Sequence, residues 1–255
     1  MEKWLSLWSI GQYAELAAFE KIKAAGFVGV EIWAEHLRAD EYLAFAKQCD
    51  LKIGLHLPFH DLNLATPDEK VKERMLEVNQ NWLEKLAKYD GKHAVIHGGY
   101  AWSSEEREDA LKKVKERLKT LNEVACLNHV ELLLENLIPD KLNYGHIVAS
   151  TLKEWSDLVQ ELDMKACLDT GHLAVMGDSL AETIRHFGNR LASIHYSTND
   201  CVSDLHFIPD NDEHAMFQAL SDIGYQGPIV YELNPYQYSL DDILRNEHVQ
   251  ALLRL

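Results

Sequence analysis

The sequence has little of what disulfide-bonded, membrane-spanning or nucleotide-binding proteins require. Its four cysteines are scattered over 255 residues without a CxxC pair, which favours a reduced, cytoplasmic protein over a secreted disulfide framework. No run approaches the roughly 18 apolar residues of a membrane span, and no N-terminal signal peptide is recognisable. No glycine-rich dinucleotide motif or P-loop follows any apolar run, so nucleotide binding lacks support.

Basic residues are also scarce. The chain has 25 Lys and Arg against 41 Asp and Glu, a net charge of −16. This excess repels polyanions at long range and argues against a nucleic-acid partner, although bound cations could reverse the sign locally. Simple solubility explains the same excess. Aromatic residues at the surface would permit a homo-oligomer.

Short apolar runs alternate with amphipathic helical segments along residues 1–255, which predicts one α/β domain with a parallel sheet. Eight runs are apolar on both faces, as buried parallel strands are. They are Leu5–Ser9, Val28–Trp33, Lys52–Leu57, Ala94–His97, Val130–Glu135, Lys165–Asp169, Ala192–His195 and Ile229–Leu233. Eight such units in this length favour a single-domain (β/α)8 barrel over an open doubly wound sheet.

Helical patterns occupy most of the intervals between these runs. The predicted helices are Tyr13–Ala25, Thr66–Tyr89, Ser103–Leu127, Thr151–Leu162, Leu180–Phe187, Glu213–Ile223 and Leu240–Leu253. Thr66 followed by proline and two acids predicts an N-cap at that threonine. Gly26 and Gly224 predict the ends of two helices.

Side chains that bind metals lie at or just after the ends of six consecutive predicted strands, where a barrel of this kind builds its active site. There are nine of them: His56, His97, Glu135, Asp169, His172, His195, Asp204, His206 and Glu232. Any one alone is better explained as a hydrogen-bonded strand end than as a ligand. Nine together bury more charge than polar pairing compensates. They predict a site for one to three divalent cations such as Mn, Co, Mg or Zn.

Further polar and aromatic residues surround this predicted site. Trp33, Phe59, Tyr100 and Trp102 could form the floor of a sugar- or base-binding pocket, and covering the barrel mouth explains them equally well. His93 shares strand parity with His97 and is expected to point into the barrel. Asn136 and Asn234, beside two of the glutamates, would either orient a carboxylate or cap backbone groups.

The sequence resembles the xylose-isomerase-like TIM barrels, a superfamily of sugar isomerases and epimerases that also includes apurinic-site endonucleases of the endonuclease IV type. The resemblance covers nearly the whole chain, and the ordered set of motifs is specific for the superfamily but not for one reaction. The motifs are GFVGVEIW, GLHLPFHDLNLATPDE, AVIHGGY, LLLENL, CLDTGHL, HYSTND, SDLHF and GYQGPIVYELNP.

The resemblance implies two competing reactions. In the epimerase-like members, the residues matching Glu135, Asp169, His195 and Glu232 hold one metal. The two glutamates act there as base and acid, and the residue matching His172 contacts the sugar. In the endonuclease-like members, all nine matching residues hold three zinc ions.

The motif GFVGVEIW, with Glu31, and the negative charge favour the first reaction. We therefore expect a metal-dependent isomerase or epimerase that moves a proton at a carbon of a sugar or sugar derivative. A zinc phosphodiesterase that acts on abasic DNA is the alternative. A non-catalytic sugar-binding barrel is a third possibility, because fold alone does not settle function.

Overall fold

The computed structural model describes residues 1–11, 14–209 and 214–253. Ten strands occur among these residues: β1 (Glu2–Ser6), β2 (Gly29–Trp33), β3 (Lys52–His56), β4 (His93–Ile96), β5 (Tyr100–Trp102), β6 (Glu131–Glu135), β7 (Gly145–Ile147), β8 (Lys165–Asp169), β9 (Leu191–Tyr196) and β10 (Pro228–Tyr231). All except β5 and β7 form a closed parallel barrel in the order β1-β10-β9-β8-β6-β4-β3-β2. The predicted single-domain (β/α)8 TIM barrel is confirmed.

Helices surround this barrel. They are α1 (Leu16–Ala25), α2 (Ala39–Gln48), α3 (Glu69–Lys88), α4 (Arg107–Leu127), α5 (Leu152–Glu161), α6 (Thr170–Met176), α7 (Leu180–Phe187), α8 (His214–Asp222), α9 (Leu240–Arg245) and α10 (Glu247–Leu253). Within the described residues, no helix combines the length and apolarity needed to cross a bilayer. All four cysteines are free thiols.

The first strand lies earlier in the chain than predicted. The predicted run Leu5–Ser9 extends past β1 into a short 3₁₀ turn, Leu7–Ile10, in which Leu7 and Ser9 are buried. Pairing between β1 and β10 covers only the first residues, Glu2 to Leu5. The other seven barrel strands match their predicted bounds to within two residues.

Two predicted helices differ from the observed ones because asparagine and aspartate side chains cap the backbone. The N-cap of α3 is Asp68, whose Oδ1 accepts from the backbone N–H groups of Lys70 and Val71, so the prediction of a cap at Thr66 is wrong. The predicted helix Leu240–Leu253 is two helices. The backbone of Asn246 is extended between them, and its side chain caps the second.

The structure also contains helices and strands that the sequence pattern did not predict. Helices α2 and α6 were not predicted; α2 begins after Arg38, whose side chain makes no capping hydrogen bond. The predicted start residues Tyr13 and Glu213 lie outside the described residues. The segment that follows β4 and the one that follows β6 also contain β5 and β7, which pair antiparallel as a small separate sheet.

Alternation along the strands decides which side chains enter the barrel. Val95, Leu133 and Cys167 form a small apolar cluster of their own, while their chain neighbours, such as Ala94 and Leu134, belong to the large core between strands and helices. The small cluster is therefore the barrel interior. Because strand side chains repeat every two residues, the positions two residues further along also point inward, at the carboxyl ends of the strands.

The opposite end of the barrel interior is filled by one indole ring. Trp4 is 1% exposed, and its ring centroid lies 5.2 Å from that of His93. A Cβ atom at Gly29 would overlap the Trp4 ring, and one at Gly54 would lie 2.7 Å from His93 Nε2. The two glycines thus give room for the two rings that support the layer above.

Replacing Gly29 with Ala is expected to lower the free energy of unfolding by roughly 1–3 kcal/mol, because overpacking a filled interior displaces neighbouring side chains. Denaturant titration measures the loss. Adding Trp4→Phe makes room for the new methyl group, so the double variant should be more stable than the sum of the single effects predicts. Strict additivity, or an unchanged stability for Gly29→Ala, would show that Trp4 does not limit the space at this position.

Candidate metal centre and adjoining cavities

All nine predicted ligand residues lie together at the carboxyl end of the barrel. Seven of them line one cavity of about 240 Å³: His56, His97, Glu135, His172, Asp204, His206 and Glu232. The remaining two, Asp169 and His195, are 0% exposed and complete the first ligand group beneath it. The residues divide into three groups in which the potential ligand atoms lie within 4.8 Å of one another.

The first group consists of Glu135, Asp169, His195 and Glu232, from four neighbouring strand ends. The ring atom Nδ1 of His195 lies 3.2 Å from Glu135 Oε1 and 3.1 Å from Glu232 Oε2. Three carboxylates and one imidazole therefore face a common point, which is a donor set that divalent cations accept.

The second group uses the other oxygen of the same glutamate. His56 Nε2 and His97 Nε2 each lie 3.2 Å from Glu135 Oε2. His56 Nδ1 lies 3.0 Å from the Leu57 carbonyl oxygen and donates to it, so in the neutral ring the lone pair is on Nε2. Glu135 is thus placed between two groups of potential ligands, one at each carboxylate oxygen.

The third group is His172, Asp204 and His206. Asp204 lies between the two rings, 3.4 Å from His172 Nε2 and 3.0 Å from His206 Nε2. Burial by itself acts to lower the pKa of His206, but Asp204 and the nearby carboxylates raise it to about 9. His172 Nδ1 donates to the backbone oxygen of Asn136 at 2.8 Å, so its Nε2 faces Asp204.

Two asparagines hold backbone segments that carry ligands. The Asn136 amide donates to the backbone oxygen of Asp169 and accepts from its N–H, at 3.0 and 2.8 Å. The Asn234 amide donates to the backbone oxygen of Leu205, and its own N–H donates to that of His206. Of the two predicted roles, the structure therefore has backbone capping, and each amide supports a ligand other than the adjacent glutamate.

The charges of the first group depend on one another. Burial raises the pKa of Asp169 above its ordinary value. Burial acts in the same direction on Glu135 and Glu232, but the neighbouring His195 lowers the pKa of both. Burial alone would lower the pKa of His195, and the surrounding acidic groups instead raise it well above its usual range. These carboxylates thus favour positive charge at His195, either as a proton on the ring or as a cation that takes the place of that proton at Nδ1.

One oxygen atom of Asp169 gives a further reason to expect a divalent cation at the first group. Asp169 Oδ1 accepts from the backbone N–H of His172 at 2.6 Å, whereas Asp169 Oδ2 is buried without a hydrogen-bond partner among the described residues. A buried carboxylate oxygen without a partner costs free energy. A cation in the first group would satisfy this oxygen.

A pair of residues not included among the predicted ligands lies behind His195. Glu31 is 0% exposed, and its Oε2 lies 3.0 Å from His93 Nε2. Its Oε1 lies 2.8 Å from His195 Nε2, close enough for an ion pair although not aligned as a hydrogen bond. A carboxylate behind a ligand imidazole keeps the proton on the far nitrogen and leaves Nδ1 free for a cation. His93 points into the barrel, as predicted.

The four predicted aromatic residues divide between two cavities and the surface. Trp33 and Phe59 line the cavity that contains the ligands. Phe59 and Tyr100 line a second cavity beside it. Trp102 is 63% exposed in β5 and is absent from the described lining of both cavities. Trp8 also lines the first cavity, and its ring packs edge-on against that of His206, with 4.9 Å between the ring centroids.

Comparison with known proteins gives a consistent family. A family model described as xylose isomerase-like TIM barrel matches residues 19–252. The solved structure of a D-tagatose 3-epimerase-like protein superposes with a TM-score of 0.79 at 21% identity, covering 100% of this chain and 94% of that one. At this identity the superposition supports the fold alone.

Curated relatives are similar over most of the chain. A D-psicose 3-epimerase of Ruminiclostridium cellulolyticum is 28% identical over 237 residues, 84% of this chain and 76% of that protein. A 3-dehydro-D-guloside 4-epimerase of Escherichia coli is 26% identical over 235 residues, 85% of this chain and 86% of that protein. An uncharacterised protein of Methanocaldococcus jannaschii is 27% identical over 172 residues, and this match spans 67% of this chain but only 65% of that protein.

Replacing Glu31 with Gln is expected to weaken Mn²⁺ binding roughly 10- to 100-fold, the usual effect of removing a group that orients a ligand histidine. Isothermal titration calorimetry measures the affinity, and Glu41→Gln on the surface of α2 is the matched control. His93→Gln leaves the Glu31 carboxylate in place and should cause a smaller loss. An unchanged affinity in a folded Glu31→Gln protein would show that this carboxylate does not orient His195.

Proposed function

The chain belongs to the xylose isomerase-like TIM barrel family, and we propose that it is a divalent-metal-dependent epimerase or isomerase of uncharged sugars. The reaction moves a proton at a carbon next to a carbonyl group. The observation that carries this proposal is the first ligand group, in which Glu135 and Glu232 face a common point together with Asp169 and His195. The similarity to two sugar epimerases supports the reaction class.

Two carboxylates at one substrate suit a reaction that removes and returns a proton. A divalent cation held by the four side chains of the first group supplies positive charge beside the substrate carbonyl, which makes the neighbouring C–H proton more acidic. One glutamate accepts that proton, and the electron pair left on carbon spreads onto the carbonyl oxygen. The other glutamate gives a proton to the opposite face of the same carbon, which inverts its configuration.

The pKa directions are suited to these roles. His195 lowers the pKa of Glu135 and Glu232 despite their burial, which favours the ionised form that accepts the substrate proton. The glutamate that returns a proton must first take one up from solvent. The two glutamates originate from β6 and from the residue after β10, with β8 and β9 between them in the barrel. Side chains from these positions approach a bound molecule from different sides, as a two-base inversion needs.

The remaining lining residues indicate how the sugar is held. We assign His172 to a sugar hydroxyl, because its ring is fixed by the Asn136 carbonyl and its Nε2 faces the cavity side at Asp204. Trp8 and Trp33 line the same cavity and supply apolar surface for the carbon skeleton of a sugar. No Lys or Arg occurs among the described residues that line the ligand cavity. This absence supports a substrate without phosphate.

A second candidate function rests on the other two ligand groups. The groups His56–His97–Glu135 and His172–Asp204–His206 could each hold a further ion, and clusters of two or three ions are used to cleave phosphodiesters. Incubation with DNA that contains an abasic site, in the presence of Zn²⁺, tests this activity directly. Cleavage of the DNA strand would favour the phosphodiesterase over the epimerase as the function of this protein.

Replacing Glu232 with Gln is expected to lower the rate of metal-dependent proton exchange by roughly 10²- to 10⁴-fold, the usual contribution of a general acid or base. The measurement is deuterium incorporation from D₂O into D-psicose and other ketohexoses, followed by NMR with the Mn²⁺-loaded protein. The surface variant Glu77→Gln is the matched control. Exchange at the wild-type rate in a Glu232→Gln protein that retains Mn²⁺ would remove the assigned role.

A further inference from the structure

A second cavity of about 410 Å³ opens beside the ligand cavity. The two share Phe59, His60, His97, His172 and Asp204 as lining residues. They are therefore adjoining chambers of one site. The second chamber is the larger of the two, and it is not needed for the proton transfer between Glu135 and Glu232.

The walls of the second chamber are tied together by specific contacts. Asn63, in the segment after β3, accepts from the Tyr100 N–H at 2.9 Å and donates to the Tyr100 carbonyl at 2.6 Å. A side chain at Gly99, whose φ is +80°, would overlap the Asn63 amide. Buried Arg117 donates to the backbone oxygens of Leu64 and Thr66 on the same segment. These contacts hold the walls of the second chamber in fixed positions relative to one another.

Its lining differs chemically from that of the ligand cavity. Most of the wall is apolar, including Leu62, Leu64, Leu137, Ile138 and Ile147. The Asn63 amide is already occupied by backbone groups of its neighbours. No Lys or Arg occurs among the described residues of this wall. The side chains of His60, His97, His172 and Asp204 are shared with the ligand cavity. Away from them, a hydroxyl-rich or charged group would lose water and gain few partners, whereas an apolar group gains from burial.

We propose that the second chamber binds an uncharged apolar substituent, aryl or alkyl, that is carried by the sugar whose carbonyl carbon lies in the ligand cavity. The natural substrate is then a glycoside or similar derivative and not a free ketose. This inference rests on the proposed function for the sugar itself. The shared residues Phe59 and His97 lie at the junction, where the bond between the sugar and its substituent crosses from one chamber to the other.

The test compares two probes that differ only in the apolar group, the phenyl and methyl 3-dehydro-β-D-glucopyranosides. Their dissociation constants with the Mn²⁺-loaded protein are measured by calorimetry. We expect the phenyl compound to bind at least about tenfold more tightly, since burial of a ring removes a large apolar surface from water. Binding of the two probes within about twofold of each other overturns the proposal.

Variants in the loop after β6 test whether the preference for the phenyl probe arises in the second chamber. Ile138 is half-buried and lines the chamber, so Ile138→Trp fills it and should reduce the preference for the phenyl probe to about twofold or less. Ile138→Asp leaves the volume but adds a charge, and should give the same loss. Leu142, four residues later and 71% exposed, provides the matched control Leu142→Trp, which should retain the preference. Retention of the full preference by folded Ile138→Trp and Ile138→Asp overturns the proposal.

Deuterium exchange separates this inference from the proposed function. Exchange into both probes without a phenyl preference in binding would leave the epimerase and refute the apolar chamber. A phenyl preference that depends on Ile138, without exchange into either probe, would establish the chamber and refute the proposed reaction.

Discussion

Four carboxyl groups lie almost out of contact with water at one end of the barrel, and the arrangement around them follows from the need to compensate their charge. They belong to Glu31, Glu135, Asp169 and Glu232, with side-chain exposures between 0% and 12%. One imidazole, that of His195, lies within 3.2 Å of three of them. The fourth retains an oxygen without a hydrogen-bond partner among the described residues. Because unpaired buried charges cost several kcal/mol each, a divalent cation at this cluster would stabilise the ionised carboxylates.

The barrel supplies this cluster through the two-residue period of its strands. One layer of inward positions is apolar, with Val95, Leu133 and Cys167, and the next layer carries ligands at Glu135 and Asp169. The same ligand set serves proton transfer and phosphodiester cleavage equally well in principle, so the chemistry of the neighbouring walls has to discriminate between substrates. Those walls are aromatic on one side and apolar on the other, and among the described lining residues they contain no Lys or Arg. Such walls offer apolar contacts to a ligand, which the proposed reaction of a sugar would use.

Much of this organisation could be predicted from the sequence, because strand-end histidines and acids signal their position through the short apolar runs that precede them. The nine candidate ligands meet because they all lie at or after the carboxyl ends of strands, and these ends share one end of the barrel. The Glu31–His93–His195 chain could not be predicted, since β2 and β4 are separated by β3 and no local pattern shows that their side chains meet across the interior. The second chamber could not be predicted from the sequence either. Its wall includes one residue from each of the short strands β5 and β7 and the segment after β3, which is held by contacts between Asn63 and Tyr100, 37 residues apart.

The most direct test of the account is the number of divalent ions bound per chain, measured by elemental analysis after equilibration with Mn²⁺ or Zn²⁺ and removal of the free ion. The account predicts at least one bound ion, removable by a chelator, since the group of Glu135, Asp169, His195 and Glu232 supplies four ligand atoms for it. Two or three ions would mean that the two histidine-rich groups are occupied as well. A folded protein that binds no ion would contradict the account, because its buried carboxylates would then be stable without the charge assigned to compensate them.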